Sequence, residues 1–335
     1  MVETQIPQAV LGPDRGWLRK LLRFLGEQGF ILIFIAWAIF LTFNTRNFAT
    51  TENILTILRQ ATIIGVAAIG AHFVILMGLL DLSIAAVISL AGVVMAQLMI
   101  AHGFSPVSAG LTALGLGALI GLINGLIVTK LRINSIIATL GTASILTGVA
   151  FTITQGRTIF GERGNNPIEL IQFLSRGRVF DLIPVPVIIL FAAYIVAYIV
   201  LQRTLYGARV YAVGSNDRAA WLSGINVDAI KIITYMISGT LGGFAAILQV
   251  ARQGTATAGM GADFLFPILT AVVLGGASLT GGRGRIVNTL IAAIFLTSIT
   301  NGMILLGIGI YTQNIISGVI LIVALSLDRL RAARA

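Results

Sequence analysis

Eight stretches of this chain contain no Asp, Glu, Lys or Arg: residues 28–45, 60–80, 82–129, 133–156, 182–202, 232–251, 264–282 and 286–327. They hold nearly two thirds of the 335 residues. A bilayer core about 30 Å thick is crossed by about 20 helical residues, so the runs 82–129 and 286–327 are each long enough for two spans. His102-Gly103-Phe104-Ser105-Pro106 breaks the first and Gly307-Ile308-Gly309 the second. The expectation is an all-α polytopic membrane protein with about ten transmembrane helices. The runs are apolar on every face and lack the alternation of a membrane β-barrel. Only 10% of the residues are charged, against about 25% in a soluble domain, which excludes a water-facing globular surface.

A single membrane domain over residues 28–327 follows, flanked by a segment 1–27 and a tail 328–335. No separate apolar segment precedes the first span, so a removed signal peptide is not expected. Ten spans put both termini on one side. Alternation then assigns Arg15, Arg19, Lys20, Arg23, Lys130, Arg132, Arg203, Arg209, Arg218, Lys231, Arg283, Arg285, Arg329, Arg331 and Arg334 to that side. Only Arg46, Arg59, Arg157, Arg163, Arg176, Arg178 and Arg252 fall on the other. Loops rich in Lys and Arg stay cytoplasmic, so both termini are expected to be cytoplasmic. This also accounts for the net charge of +10. The bases are spread over several membrane-flanking segments without an aromatic-rich patch, which argues against nucleic acid as a partner.

Two connections exceed a turn. The external one, residues 157–181, mixes four Arg with Glu162, Glu169 and Asp181. It reads either as a surface loop or as a docking surface for an external partner. In the cytoplasmic one, residues 203–229, Ser215 or Asn216 is placed to cap a short helix over Asp217–Ser223. Gly224 is placed to end it, because glycine tolerates the left-handed conformation. Small residues beside Trp221, Leu222 and Ile225 suit docking into a groove of another protein or an amphipathic helix at the membrane surface.

The apolar interior holds few polar candidates: His72, Asp81, Asn124 and Asp263. Ionisable groups inside spans are costly and default to functional roles. Asp81 stands out, because only Gly78-Leu79-Leu80-Asp81-Leu82-Ser83 separates the second and third spans. A glycine followed by Asp and Ser predicts a broken helix, with Ser83 capping the next one; a cap at the membrane surface is the alternative. Asp263 precedes the eighth span as Asp81 precedes the third, a short trace of an inverted repeat relating spans 2–5 to spans 7–10. His72 reads as a packing residue. Gly121/Gly125 and Gly242/Gly243 read as sites of close helix approach. Neither a metal-ligand cluster nor an acid–base pair is found, and the chain has no cysteine. None of its three lysines follows the Gly-x-x-x-x-Gly pattern of a phosphate-cradling loop. The expectation is a non-enzymatic chain without cofactors, driven from outside itself if driven at all.

Four segments carry a resemblance: Gly78–Ala85; Gly121–Gly125 with Ala138–Thr142; Tyr206–Arg209 through Gly214–Asn216 and Ala219–Ile225; and Ala271–Gly276 with Gly281–Gly284. In this order they resemble the motifs of permease subunits of bacterial ABC importers for ribose, other monosaccharides, polyols and autoinducer-2. Phe264-Leu265-Phe266-Pro267 is more similar to the autoinducer-2, rhamnose or polyol members. The resemblance implies a type II importer-like fold in the bacterial inner membrane and a pathway for a small neutral solute. It also implies a cytoplasmic ATPase, a periplasmic binding protein and a second permease chain as partners. On it, Gly78, Asp81, Ser83, Asn124, Thr139, Asp263 and Phe264 are candidates for the solute pathway. Gly207, Arg209, Gly214, Asn216, Ala219, Ala220, Ser223, Gly224 and Ile225 are candidates for coupling to the ATPase. The competing reading is an autonomous secondary transporter or channel.

Overall fold

The protein, described here as a computed structural model, is defined over residues 31–160, 167–309, 311–313, 315–316, 318–320 and 322. The expected flanking segments 1–27 and 328–335 lie outside these residues. Twelve helices follow in chain order: α1 (Ile31–Asn44), α2 (Thr51–Leu76), α3 (Ile84–Ala101), α4 (Pro106–Lys130), α5 (Ser135–Thr154), α6 (Phe173–Arg176), α7 (Val185–Arg203), α8 (Leu205–Ser215), α9 (Asp217–Leu222), α10 (Val227–Gln253), α11 (Leu265–Leu274) and α12 (Ile286–Leu305). A two-residue antiparallel hairpin, β1 (Arg178–Val179) and β2 (Ile183–Pro184), leads into α7. The described residues between 311 and 322 are helical as well.

Nine of the ten expected spans fall on helices among the described residues, the last is described only in part, and the count is not reproduced as ten full crossings. Seven helices among the described residues, α2, α3, α4, α5, α7, α10 and α12, are long and apolar enough to cross a bilayer. The eighth expected span is short. With its preceding 3-10 turn it covers Ala262–Leu274, about 20 Å of helix. Glycines explain this: Gly254 before it and Gly276, Gly281 and Gly282 after it adopt positive φ, so the charge-free run 264–282 contains backbone that leaves the helix. Non-helical backbone at membrane depth is tolerated only where protein buries it.

Helix ends follow local chemistry. The side chains of Thr50, Ser105, Asn134 and Asn226 accept from the backbone N–H groups of Asn53, Ser108, Ile136 and Ala229, capping α2, α4, α5 and α10. Gly307, at φ 74°, follows α12 where the break was expected.

Lateral packing centres on α10. Along α4, Ala113, Gly117, Gly121 and Gly125 recur every four residues and form one stripe. A Cβ at Gly117 would lie 2.1 Å from the Gly239 carbonyl oxygen, and one at Gly121 would lie 2.1 Å from that of Tyr235. Reciprocally, a Cβ at Gly239 would lie 2.0 Å from the oxygen of Gly117. The two backbones therefore touch, as small residues permit in a membrane, where association relies on packing rather than on exclusion of water. Gly242 and Gly243 divide their work: Gly243 meets Ala113 of α4, while Gly242 meets Val87 and Ile84 of α3.

Segments assigned to one side by charge gather at one end of the fold. Lys130 donates to Asp228 at 2.7 Å, Lys231 pairs with Asp217, and Tyr211 Oη donates to the Gly284 carbonyl at 2.8 Å. At the opposite end Ile159 and Ala256 form an antiparallel bridge. The glycine seam is testable: Gly121→Ala should destabilise the purified protein by about 1–3 kcal/mol through overpacking, read as a lower Tm in detergent. Gly115→Ala, where an added Cβ meets nothing within 4 Å, should leave Tm unchanged or raised. Equal Tm values would remove the seam from the account.

Candidate functional site

The predicted break lies between α2 and α3. Gly78 turns the chain at φ 70°, and its N–H donates to the Ile75 carbonyl at 2.9 Å, closing α2. The link then runs beside α10 at the level of Thr234 and Ser238, whose hydroxyls reach Met77 Sδ and Asp81. These residues are about 10 and 16 Å along α10 from its first residue; Asp81 and Ser83 are buried against it, Leu79, Leu80 and Leu82 are half-buried and Gly78 is exposed.

Asp81 organises this link. It is 2% exposed. Its Oδ1 accepts from the Ser83 backbone N–H at 3.0 Å and from Ser83 Oγ at 2.6 Å. Its Oδ2 accepts from Ser238 Oγ of α10 at 2.7 Å. Ser83 Oγ in turn accepts from Asn124 Nδ2 of α4 at 2.8 Å, and Asn124 Oδ1 accepts from Thr142 Oγ1 of α5 at 2.7 Å. The freed backbone has partners too. Leu82 N–H donates to Thr139 Oγ1 at 3.1 Å, Leu80 N–H donates to Ser135 Oγ at 3.3 Å, and the Leu80 carbonyl accepts from Tyr235 Oη at 3.1 Å. Ser83 occupies the position before α3, but its side chain does not cap the helix. A capping oxygen accepts from backbone N–H groups, and Ser83 Oγ instead accepts from Asn124 Nδ2 while its own hydrogen goes to Asp81.

Five expected pathway residues, Gly78, Asp81, Ser83, Asn124 and Thr139, are thus brought together at this link: Asp81, Ser83 and Asn124 in one hydrogen-bonded chain, and Thr139 on the Leu82 N–H. Thr142 and Ser238 extend that chain, Ser135 and Tyr235 hold the Leu80 backbone, and none of the four was singled out from sequence. Thr142 closes a motif that the sequence did display, and Ser238 lies one turn before Gly242. Asp263 and Phe264 do not join it: Asp263 is exposed on its 3-10 turn, and Phe264 is partly buried against the main apolar core. The environments of Asp81 and Asp263 differ accordingly. His72 is buried, with Nδ1 2.8 Å from Thr289 Oγ1 of α12, the packing role expected of it. No group of three potential metal ligands occurs among the described residues.

The expected short helix forms as α9. Asn216 Oδ1 accepts from Ala219 N–H at 2.9 Å, Gly224 takes φ 81°, and Ile225 N–H donates to the Ala220 carbonyl at 3.1 Å. Ala220 is buried against the underlying core, whereas Trp221 and Leu222 are 64% and 69% exposed. Beside them lies an open groove of about 780 Å³, lined by Arg132, Arg218, Trp221, Ile225 and Asp228. Ala219, Ser223 and Arg209 are exposed. Gly207 lets α8 fold back on α7, since a Cβ there would lie 2.2 Å from the Leu201 carbonyl oxygen.

Behind α9 the end of α8 abuts the break. A Cβ at Gly214 would lie 1.8 Å from the carbonyl oxygen of Leu76, the last residue of α2. That oxygen also accepts from Gly282 N–H at 2.8 Å. A Cβ at Gly281 would lie 2.6 Å from Gly214 O and 2.8 Å from Gly78 N. Three segments therefore meet at one glycine junction: the end of α8, the α2–α3 link and the α11–α12 link.

Residues 53–325 match the family described as branched-chain amino acid transport system / permease component. The chain belongs to this permease family. It is similar to the ribose import permease RbsC of Bacillus subtilis (strain 168), at 37% identity over 319 residues and 95% of both chains. RbsC of Escherichia coli (strain K12) is also 37% identical, over 314 residues that cover 94% of this chain and 95% of the relative. The D-allose transport system permease AlsC of the same strain is 32% identical over 302 residues, 90% of each chain. No solved structure matches. The permease is a multi-pass membrane protein, and its buried polar network lies in a helix break of the membrane domain.

The network predicts an order of stability effects. Asp81→Ala leaves three buried donors without their acceptor, each costing about 1–3 kcal/mol, whereas Ser238→Ala removes one bond. Thermal unfolding in nanodiscs should therefore rank wild type above Ser238→Ala and Ser238→Ala above Asp81→Ala. An Asp81→Ala protein as stable as wild type would contradict the clamp.

Proposed function

We propose that this permease forms the membrane pathway of an ABC importer for a small neutral solute, a monosaccharide first and a polyol or autoinducer-2-like sugar as finer alternatives. The observation that carries this reading is α9, a capped helix that buries Ala220 and presents Trp221 and Leu222 beside an open groove. A face of that kind suits a partner's groove, and we assign the partner as a cytoplasmic ATPase. A periplasmic binding protein delivers the solute at the opposite end, and a second permease chain, identical or homologous, completes the pathway. Both termini are cytoplasmic. The names of the similar permeases support the solute class, and the scarcity of interior charge agrees with it, since a neutral solute needs no counter-ion along its route.

In this reading Asn216, Ala219, Ala220, Ser223, Gly224 and Ile225 shape the docking helix. Gly207 and Gly214 let α8 sit close enough to transmit its displacement, and Arg209 offers an exposed cation beside it. Gly78, Asp81, Ser83, Asn124 and Thr139 hold the hinge of the pathway rather than contacting solute. Asp263 and Phe264 stand at the start of α11 as pathway candidates. A ligand-biased switch between two rigid arrangements is how such a device moves.

In proteoliposomes, uptake should require ATP, the ATPase and the binding protein together. Uptake by this chain alone, abolished by an ionophore and indifferent to ATP, would establish an autonomous transporter instead. Within the complete importer, Asn216→Ala removes the cap of α9, worth about 1 kcal/mol. It should lower solute imported per ATP hydrolysed while assembly persists; an unchanged ratio would dissociate α9 from coupling.

A further inference from the structure

The end of the fold opposite α9 carries a second cavity, of about 220 Å³, between α2, α6, α7 and α10. Three guanidinium groups converge on it from separate elements: Arg59 of α2, Arg176 of α6 and Arg252 of α10. They are dispersed in sequence, and only the folded topology collects them. No carboxylate lines the cavity among the described residues. Neither of the two ion pairs among the described residues involves any of the three. Arg59 lies about 12 Å along α2 from Thr51, and its Nε is buried without a hydrogen-bond partner. A buried donor on a cation is costly unless an acceptor reaches it.

The walls are fixed and mixed in character. Ser175 Oγ donates to the Ala251 carbonyl at 2.8 Å, tying α6 to α10. Thr62 Oγ1 lies 3.0 Å from the Pro186 carbonyl oxygen, tying α2 to α7. Gln60 adds an amide, while Leu174 and Pro186 supply apolar surface. The volume equals that of roughly seven waters, room for a compact anion with short substituents. Guanidinium forks match phosphate oxygens bidentately.

We propose that this pocket is a phosphate-binding site, which takes either the phosphodiester of an anionic lipid headgroup or free inorganic phosphate. Arg59, half-buried with its Nε out of solvent, is the anchor, and the exposed Arg176 and Arg252 close over the ligand. The inference is independent of the transported solute and of the coupling helix.

The full-length permease is tested with two probes: inorganic phosphate in detergent, and nanodiscs of phosphatidylcholine with or without phosphatidylglycerol. Variants are Arg59→Gln, which keeps much of the side-chain volume, and Arg176→Ala, with Arg178→Ala on the exposed hairpin as control. Thermal shifts and native mass spectrometry should show wild type and Arg178→Ala responding to at least one probe. The pocket variants should bind it roughly tenfold more weakly or worse. A response only to phosphatidylglycerol identifies the lipid, and a response only to phosphate identifies the free ion. Equal responses in pocket variants and control would overturn the proposal. So would absent phosphate and lipid responses combined with loss of binding-protein capture in the pocket variants, which would make an acidic protein surface the occupant.

Discussion

Unwound backbone inside a membrane must find its partners within the protein, because the bilayer core offers none. The link between α2 and α3 meets that demand through Asp81. One buried carboxylate accepts from Ser83 twice and from Ser238 once, and Ser83 passes the network on to Asn124 and Thr142. Four helices are thereby referred to one point: α3 through Ser83, α4 through Asn124, α5 through Thr142 and α10 through Ser238. Remove the carboxylate and the donors remain buried, so the cost is that of stranded polar groups rather than of a single lost contact. The carboxylate thus functions as a fastener among helices.

Around this point the fold relies on the absence of side chains. The α4–α10 seam brings backbone against backbone at Gly117, Gly121 and Gly239, and the same two helices supply Asn124 and Ser238 to the link. A second set, Gly78, Gly214, Gly281 and Gly282, brings the end of α8 against Leu76. These contacts are rigid because they involve main chain rather than flexible side chains. In the proposed importer, a displacement of α9 would have a short route to the break: through α8 to Gly214, from there to Leu76, and through Gly281 to Gly78. Tyr211, bonded to the Gly284 carbonyl, ties the α11–α12 link to α8.

Much of this was legible in the sequence because membranes enforce simple rules. Charge-free runs located the helical segments, and the glycine before Asp81 located the break. Asn216 and Gly224 located α9, since capping chemistry is local and does not depend on the remainder of the fold. The shortness of α11 was not legible, because glycine-rich backbone packed inside protein is as free of charge as a helix. The role of Ser83 was misjudged for a related reason. Its position suits a cap, but its oxygen accepts from Asn124 of a distant helix and its hydrogen goes to Asp81. Ser238 and Tyr235 lie more than 150 residues from the link they bind, and a serine or tyrosine in an apolar helix carries no local sign of its partner. The convergence of Arg59, Arg176 and Arg252 was hidden in the same way.

The central claim is that the clamped break is mechanically joined to the docking helix. Hydrogen–deuterium exchange of peptides spanning Leu79–Ser83 tests it in the assembled importer, compared between the resting state and a state trapped with a non-hydrolysable ATP analogue. Slow exchange at rest, with a change on trapping that is confined to this segment and to residues 275–285 while the α4–α10 seam stays protected, is the predicted result. Identical exchange of Leu79–Ser83 in the two states would contradict the account.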